Sequence, residues 1–181
     1  MVVLAAPGVV TPDGIRPDAA VVLEAGVVAE VRSVARIRPD VRLPAGLRAP
    51  GLVDLQVNGG FGVDLVDADG DDWGMVAGRL PETGVTAFAP TFITAALPTL
   101  ADALRRAGTA RDAGHRGARI LGVHLEGPFL SARRRGAHDP AYLIDPTPPA
   151  VDALLAAAPD VPLMVTLAPE RDGAVPAVRP L

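Results

Sequence analysis

The sequence contains no cysteine, which excludes a disulfide framework and any thiolate metal site. It contains no lysine: all 17 basic residues are arginine. Aromatics make up 3% of the chain and the formal net charge is −4. With no basic stripe interleaved with aromatic residues, nucleic acid is excluded as a partner. No apolar run approaches the ~18 residues of a membrane span, so no membrane partner is expected. The N-terminal VVLAAPGVV lacks a basic leader and runs straight into Thr11-Pro12-Asp13-Gly14. It reads as a strand rather than a signal peptide, and a cytoplasmic location is expected by default.

What is present is small and apolar. Residues of the apolar class make up 49% of the 181, and Gly and Pro contribute 19 each. The abundance of Ala, Gly, Pro and Arg fits codon bias in a GC-rich genome rather than a functional demand. The length lies within the range of one domain. The pattern nevertheless changes at residue 51.

Residues 1–50 read as a small, mostly β module. AAVVLEAGVVAEVRSV (19–34) is two β-branched runs split by Glu24-Ala25-Gly26, a hairpin signal. Thr11-Pro12-Asp13-Gly14 marks another turn. From residue 51 strands alternate with helices. LVDLQVN (52–58), VTAFAP (85–90), RILGVHL (119–125) and VPLMVTLAP (161–169) read as strands. Helices are expected over 71–80, with Asp71 and Asp72 as N-caps, from Pro98 to about Arg111 with Gly114 behind it, and over 150–158. This alternation implies right-handed parallel βαβ units. The expected class is therefore α/β: the first half of a (β/α)8 TIM-type barrel (51–181) preceded by a small β-sandwich-like module (1–50). A doubly wound open sheet is the alternative.

Reactive groups of α/β barrels gather at the C-terminal ends of the strands. Three of the four strands here end in polar residues: Gln56-Val57-Asn58, His124-Leu125-Glu126, and Glu170. Strand side chains alternate faces, so Gln56 pairs with Asn58 and His124 with Glu126. A buried carboxylate needs a partner; a metal ion is one, an arginine another. His124 alone reads as a satisfied core histidine. Gly127-Pro128 stops the strand, and His138, behind Gly136, is free to swing back over the same mouth or to stay on the surface. The run Arg133-Arg134-Arg135 is a solvated loop or an anion-facing one. His115 lacks such context and is expected to be exposed.

Taken together, PGLVDLQVNGGFGVDL, GVTAFAPTFIT, HLEGPFLSARRRGAH and VTLAPE, in that order and spacing, closely resemble the N-acetylglucosamine-6-phosphate deacetylases of the amidohydrolase superfamily, over residues 1 to 174. The resemblance implies metal-assisted hydrolysis of an acetamido group, giving glucosamine 6-phosphate and acetate. It implies Glu126 as the carboxylate ligand of a divalent metal, usually one zinc. It implies that His138 hydrogen-bonds the substrate's acetamido carbonyl, with the backbone of Ala137 alongside. Gln56 and Asn58 stand where many amidohydrolases carry a His-x-His metal pair, which points to the one-metal branch with these amides bordering the substrate. Dinuclear relatives often bridge their metals with a carbamylated lysine, and no lysine exists here. A homodimer is implied at full length. In the family, two histidine ligands, the catalytic aspartate and the phosphate-binding residues come from later strands, so the chain is expected to be an N-terminal half. Two further readings stay open: an inactive truncated product or half-barrel that pairs with another chain, and another amidohydrolase acting on a cyclic amide.

Overall fold

A computed structural model describes residues 1–181, which fall into two compact units, Met1–Pro50 and Gly51–Leu181. No helix in it is long and apolar enough to cross a membrane.

The first unit is one mixed five-stranded sheet. Strand β1 (Val2–Thr11) pairs antiparallel with β2 (Gly14–Glu24), which pairs antiparallel with β3 (Val27–Ser33). The β2–β3 turn is the two-residue Ala25-Gly26, both with positive φ (48° and 81°), the backbone that matches the twist of a tight hairpin. Short strands β4 (Val41–Arg42) and β5 (Leu47–Arg48) run parallel along the other side of β1. On β2 the period of two is visible in burial: Ala20 and Val22 pack with Val3 and Ala5 in one cluster, while Ala19 and Val21 pack in another.

The second unit is mixed α/β. Strand β6 (Leu52–Val57) leads into a two-stranded ribbon, β7 (Gly59–Gly60) with β8 (Val63–Asp64). There follow α1 (Asp71–Arg79), β9 (Val85–Ile93), α2 (Leu97–Ala113), β10 (Arg119–Ile120), β11 (Val123–Glu126), α3 (Pro148–Ala157), β12 (Leu163–Thr166) and α4 (Ala174–Ala177). Every pairing among β6, β9, β11 and β12 is parallel, and each strand lies beside the next in sequence. Such an order contains no reversal of the kind that defines a doubly wound sheet. One core joins sheet and helices. Phe88 and Phe92 of β9, Leu125 of β11 and Leu100 and Leu104 of α2 are fully buried within it. On α2 the buried positions Leu100, Ala103, Leu104 and Ala107 fall at helical spacing.

Local details differ from expectation. The N-cap of α1 is Gly70 rather than Asp71 or Asp72. Asp72 instead reaches back to accept from the Asp69 amide at 3.2 Å, which satisfies a donor just ahead of the helix. The third strand breaks at Leu121-Gly122, where a Cβ on Gly122 would lie 2.3 Å from the Pro162 carbonyl oxygen. The fourth strand is shorter than expected, ending at Thr166.

Candidate functional site

Strands β6, β9, β11 and β12 run parallel, so their C-terminal ends lie at one edge of the sheet. A cleft of about 610 Å³ opens there, lined by Asn58, Thr91, Glu126, Ala137, His138 and Thr166 among others. Glu126 is the last residue of β11, and its side chain keeps 27% exposure. The chain then turns away through Gly127, whose φ of +95° suits glycine. It returns through an exposed 3-10 turn (Ala132–Arg134) to His138, whose side chain is 12% exposed. Nε2 of His138 stands 3.7 Å from Oε1 of Glu126. The other carboxylate oxygen, Oε2, accepts from Nε2 of Gln56 at 3.2 Å. Glu126, His138 and Gln56 are therefore together, and Asn58 borders the same cleft, its Nδ2 donating to the Thr91 carbonyl at 3.4 Å.

The loop carrying His138 is held from two sides. Its backbone carbonyl accepts from Nη1 of Arg135 at 2.8 Å, and its Nδ1 faces Thr94. Of the three consecutive arginines, Arg134 and Arg135 line the cleft. Thr94, Thr91 and Thr166 carried no role in the sequence reading. The available signal was that hydroxyl residues sit at the ends of the strands flanking β11, where hydrogen-bonding groups otherwise lack ladder partners.

His124 sits one alternation below Glu126 and is buried, at 4% exposure. Its Nδ1 lies 3.2 Å from Oγ1 of Thr91 and its Nε2 2.8 Å from Oγ1 of Thr166. Both ring nitrogens thus have partners, which makes it a satisfied core histidine. Burial pushes its imidazole below the ordinary value, with Glu126 pulling more weakly upward. Glu170 does not end the fourth strand: it lies in the turn beyond Thr166 and is exposed. Its carboxyl is held below the usual carboxylate range by its own backbone amide first and by Ser131 second. His115, expected to be exposed, is half-buried beside a different cavity with Trp73, Arg105 and Arg106.

No group of three or more His, Asp or Glu side chains is placed to hold a metal ion. Glu126 offers one carboxylate, His124 is committed on both nitrogens, and Nδ1 of His138 is committed to Thr94. A catalytic zinc takes three protein ligands and a water. The donors within residues 1–181 do not complete such a set.

No family model matches the chain. It is 45% identical over 129 residues to the N-acetylglucosamine-6-phosphate deacetylase of Mus musculus, an alignment covering 68% of this chain and 31% of that protein. It is 36% identical over 137 residues to the N-acetylgalactosamine-6-phosphate deacetylase of Escherichia coli O157:H7, covering 76% of this chain and 36% of that one. Among solved structures, N-acetyl-D-glucosamine-6-phosphate deacetylase from Mycobacterium smegmatis superposes with a TM-score of 0.88 at 31% identity, over 98% of this chain and 50% of that one. A mutant of the mycobacterial enzyme in complex with N-acetyl-D-glucosamine-6-phosphate superposes equally well, with a TM-score of 0.88. The chain is a homologue of the N-acetylglucosamine-6-phosphate deacetylases and spans about a third of their length by alignment and half by superposition.

Proposed function

We propose that the chain forms part of a cytoplasmic, metal-dependent deacetylase that hydrolyses the acetamido group of an N-acetylated amino-sugar 6-phosphate, releasing acetate. The observation that carries this reading is the meeting of Glu126 and His138 at the C-terminal edge of the sheet, in a cleft open to a small molecule. In this reading residues 51–181 are four successive strands of a (β/α)8 barrel, and residues 1–50 contribute to a β-sandwich-like module. A homodimer belongs to the complete enzyme.

Each residue's part follows from its chemistry. Glu126 shares the cleft lining with one other carboxylate, Asp64, and is the one that meets His138. It would serve as a ligand to a single divalent metal, zinc the expected ion, with the remaining ligands supplied from outside residues 1–181. Nε2 of His138 donates to the acetamido carbonyl oxygen and draws electron density from the carbonyl carbon, a contribution of the oxyanion-donor kind. The backbone at Ala137, on the same loop, lines the sugar beside it. Gln56 orients the Glu126 carboxylate through Oε2, and Asn58 borders the substrate. Amide side chains are poor zinc ligands beside imidazole and carboxylate, so Gln56 and Asn58 speak against a second metal and against a dinuclear cyclic-amide hydrolase.

The test is a chimera in which residues 51–174 replace the matching segment of the mycobacterial relative. It should bind metal and release acetate from N-acetylglucosamine 6-phosphate. A folded, metal-loaded chimera that releases none from this substrate or from the galactosamine epimer overturns the reading. For the 181-residue protein by itself, the incomplete donor set favours a second reading, in which it is inactive unless another chain completes the site. Zinc content and acetate release measured on that protein decide between them.

A further inference from the structure

Thr94 has no part in the scheme above, yet three polar contacts of the site converge on it. It follows directly on β9 and is buried, at 6% exposure. Its backbone amide donates to Nδ1 of His138 at 3.3 Å, and its Oγ1 lies 2.9 Å from the same nitrogen. The hydroxyl also lies 3.3 Å from the backbone carbonyl oxygen of Glu126. It has little freedom to leave: a Cβ placed on Gly127 would come within 2.1 Å of Oγ1, so the hydroxyl already fills the space beside that glycine.

The backbone amide decides the protonation pattern. An amide N–H only donates, so the ring nitrogen that receives it must be the bare, accepting one. A proton on Nδ1 would meet the amide proton face to face. The neutral ring of His138 therefore carries its proton on Nε2, and Nε2 is the nitrogen that faces Glu126 and the cleft. The Thr94 hydroxyl has one proton; directed along the shorter of its two contacts it gives Nδ1 a second donor, and the Glu126 carbonyl at 3.3 Å then goes without it. Arg135 fixes the histidine's backbone from the other side, so both ring orientation and tautomer are set.

We infer that Thr94 is a positioning residue that holds His138 as its Nε2-protonated tautomer, so that the ring offers the cleft a hydrogen-bond donor and not a general base. The inference rests on the deacetylase reading only for the identity of the oxygen that would receive this donor. It deepens that reading by assigning the sign of the interaction: a ring so held suits polarising a carbonyl and is unfit to take a proton from water through Nε2.

Long-range proton–nitrogen correlation spectra of the 15N-labelled 181-residue protein test it, at a pH where imidazole is neutral, with His138→Gln identifying the ring signals. The expected pattern is a protonated Nε2 and a bare Nδ1 whose signal is displaced by hydrogen bonding. Thr94→Val and Thr94→Ala should both move the Nδ1 signal toward its position in free imidazole, and Thr94→Ser should restore it. A proton on Nδ1, an even mixture of tautomers, or a Val and Ala pair indistinguishable from the unaltered protein overturns the inference. The spectra need neither metal nor substrate. The expected spectra with an inactive chimera sink the deacetylase reading alone, whereas an Nδ1-protonated ring with an active chimera sinks this inference alone.

Discussion

Two histidines near one strand end have different fates, and hydrogen bonding separates them. His124 is enclosed between two threonine hydroxyls, while His138 reaches the cleft with one nitrogen uncommitted to protein hydroxyls. Replacing His124 by Leu removes a bridge between Thr91 on β9 and Thr166 on β12, leaving the buried Thr91 hydroxyl its 3.4 Å contact to the Ala89 carbonyl and the exposed Thr166 hydroxyl to solvent. It should cost about 0.5–1.5 kcal/mol for each hydrogen bond lost, read as a lower denaturant midpoint. At the cleft the two proposed roles separate by measurement. In the chimera, Glu126→Gln should lose metal together with nearly all turnover. His138→Gln should keep the metal and lose rate by about 10²–10³-fold, as one oxyanion-type donor does. Metal loss in the histidine variant would reverse the assignment. The alternation of side chains placed His124 and Glu126 on one face from the sequence alone, but not how deep each would sit. Depth depends on Thr91 and Thr166, which come from strands dozens of residues away and have no local signature.

At the level of elements, α1, α2 and α3 were legible from their own residues, and the four-residue α4 was not. Pro98 lies in the first turn of α2 and Gly114 caps its end, because these residues act through local backbone geometry. The break in the third strand was not legible, since it arises from the approach of Gly122 to the Pro162 carbonyl on a separate segment. The turn after β11 combines both kinds of cause. Gly127 needs a positive φ, which its sequence position hints at, and it also needs room against Thr94, which only the folded chain reveals. Gly127→Ala should therefore destabilise by more than the ~1 kcal/mol typical of glycine changes, and should shift the Thr94 and His138 resonances. Unchanged resonances and stability would show that the turn relaxes freely. Within α2, Leu104 is fully buried in the core, and Leu104→Ala should cost about 2–5 kcal/mol by cavity formation, measured by thermal or denaturant unfolding.

At the level of the whole molecule, β6 is paired on one side only, with β9, and presents Leu52, Val53 and Leu55 at 61%, 56% and 52% exposure. Strand edges with unpaired backbone groups and apolar side chains template pairing with other chains. The 181-residue protein should therefore self-associate with rising concentration in sedimentation experiments, and Val53→Lys with Leu55→Lys should suppress it. A protein that stays monomeric throughout, with the same profile in the double variant, would show that this edge is inert.

The order of strands in the second unit has a kinetic meaning. Because β6, β9, β11 and β12 lie side by side in the order they occur along the chain, each new strand finds its docking edge already synthesised. No strand has to wait for a distant partner or to wedge between two others that are already joined. The entropy of closing each loop is that of one strand–helix repeat, and it grows only with the logarithm of that length. The sheet can thus lengthen by accretion as the chain leaves the ribosome, the order of translation serving as the order of assembly. The free edge of the most recent strand is then the growing end, while the edge of β6 at the opposite side stays open throughout.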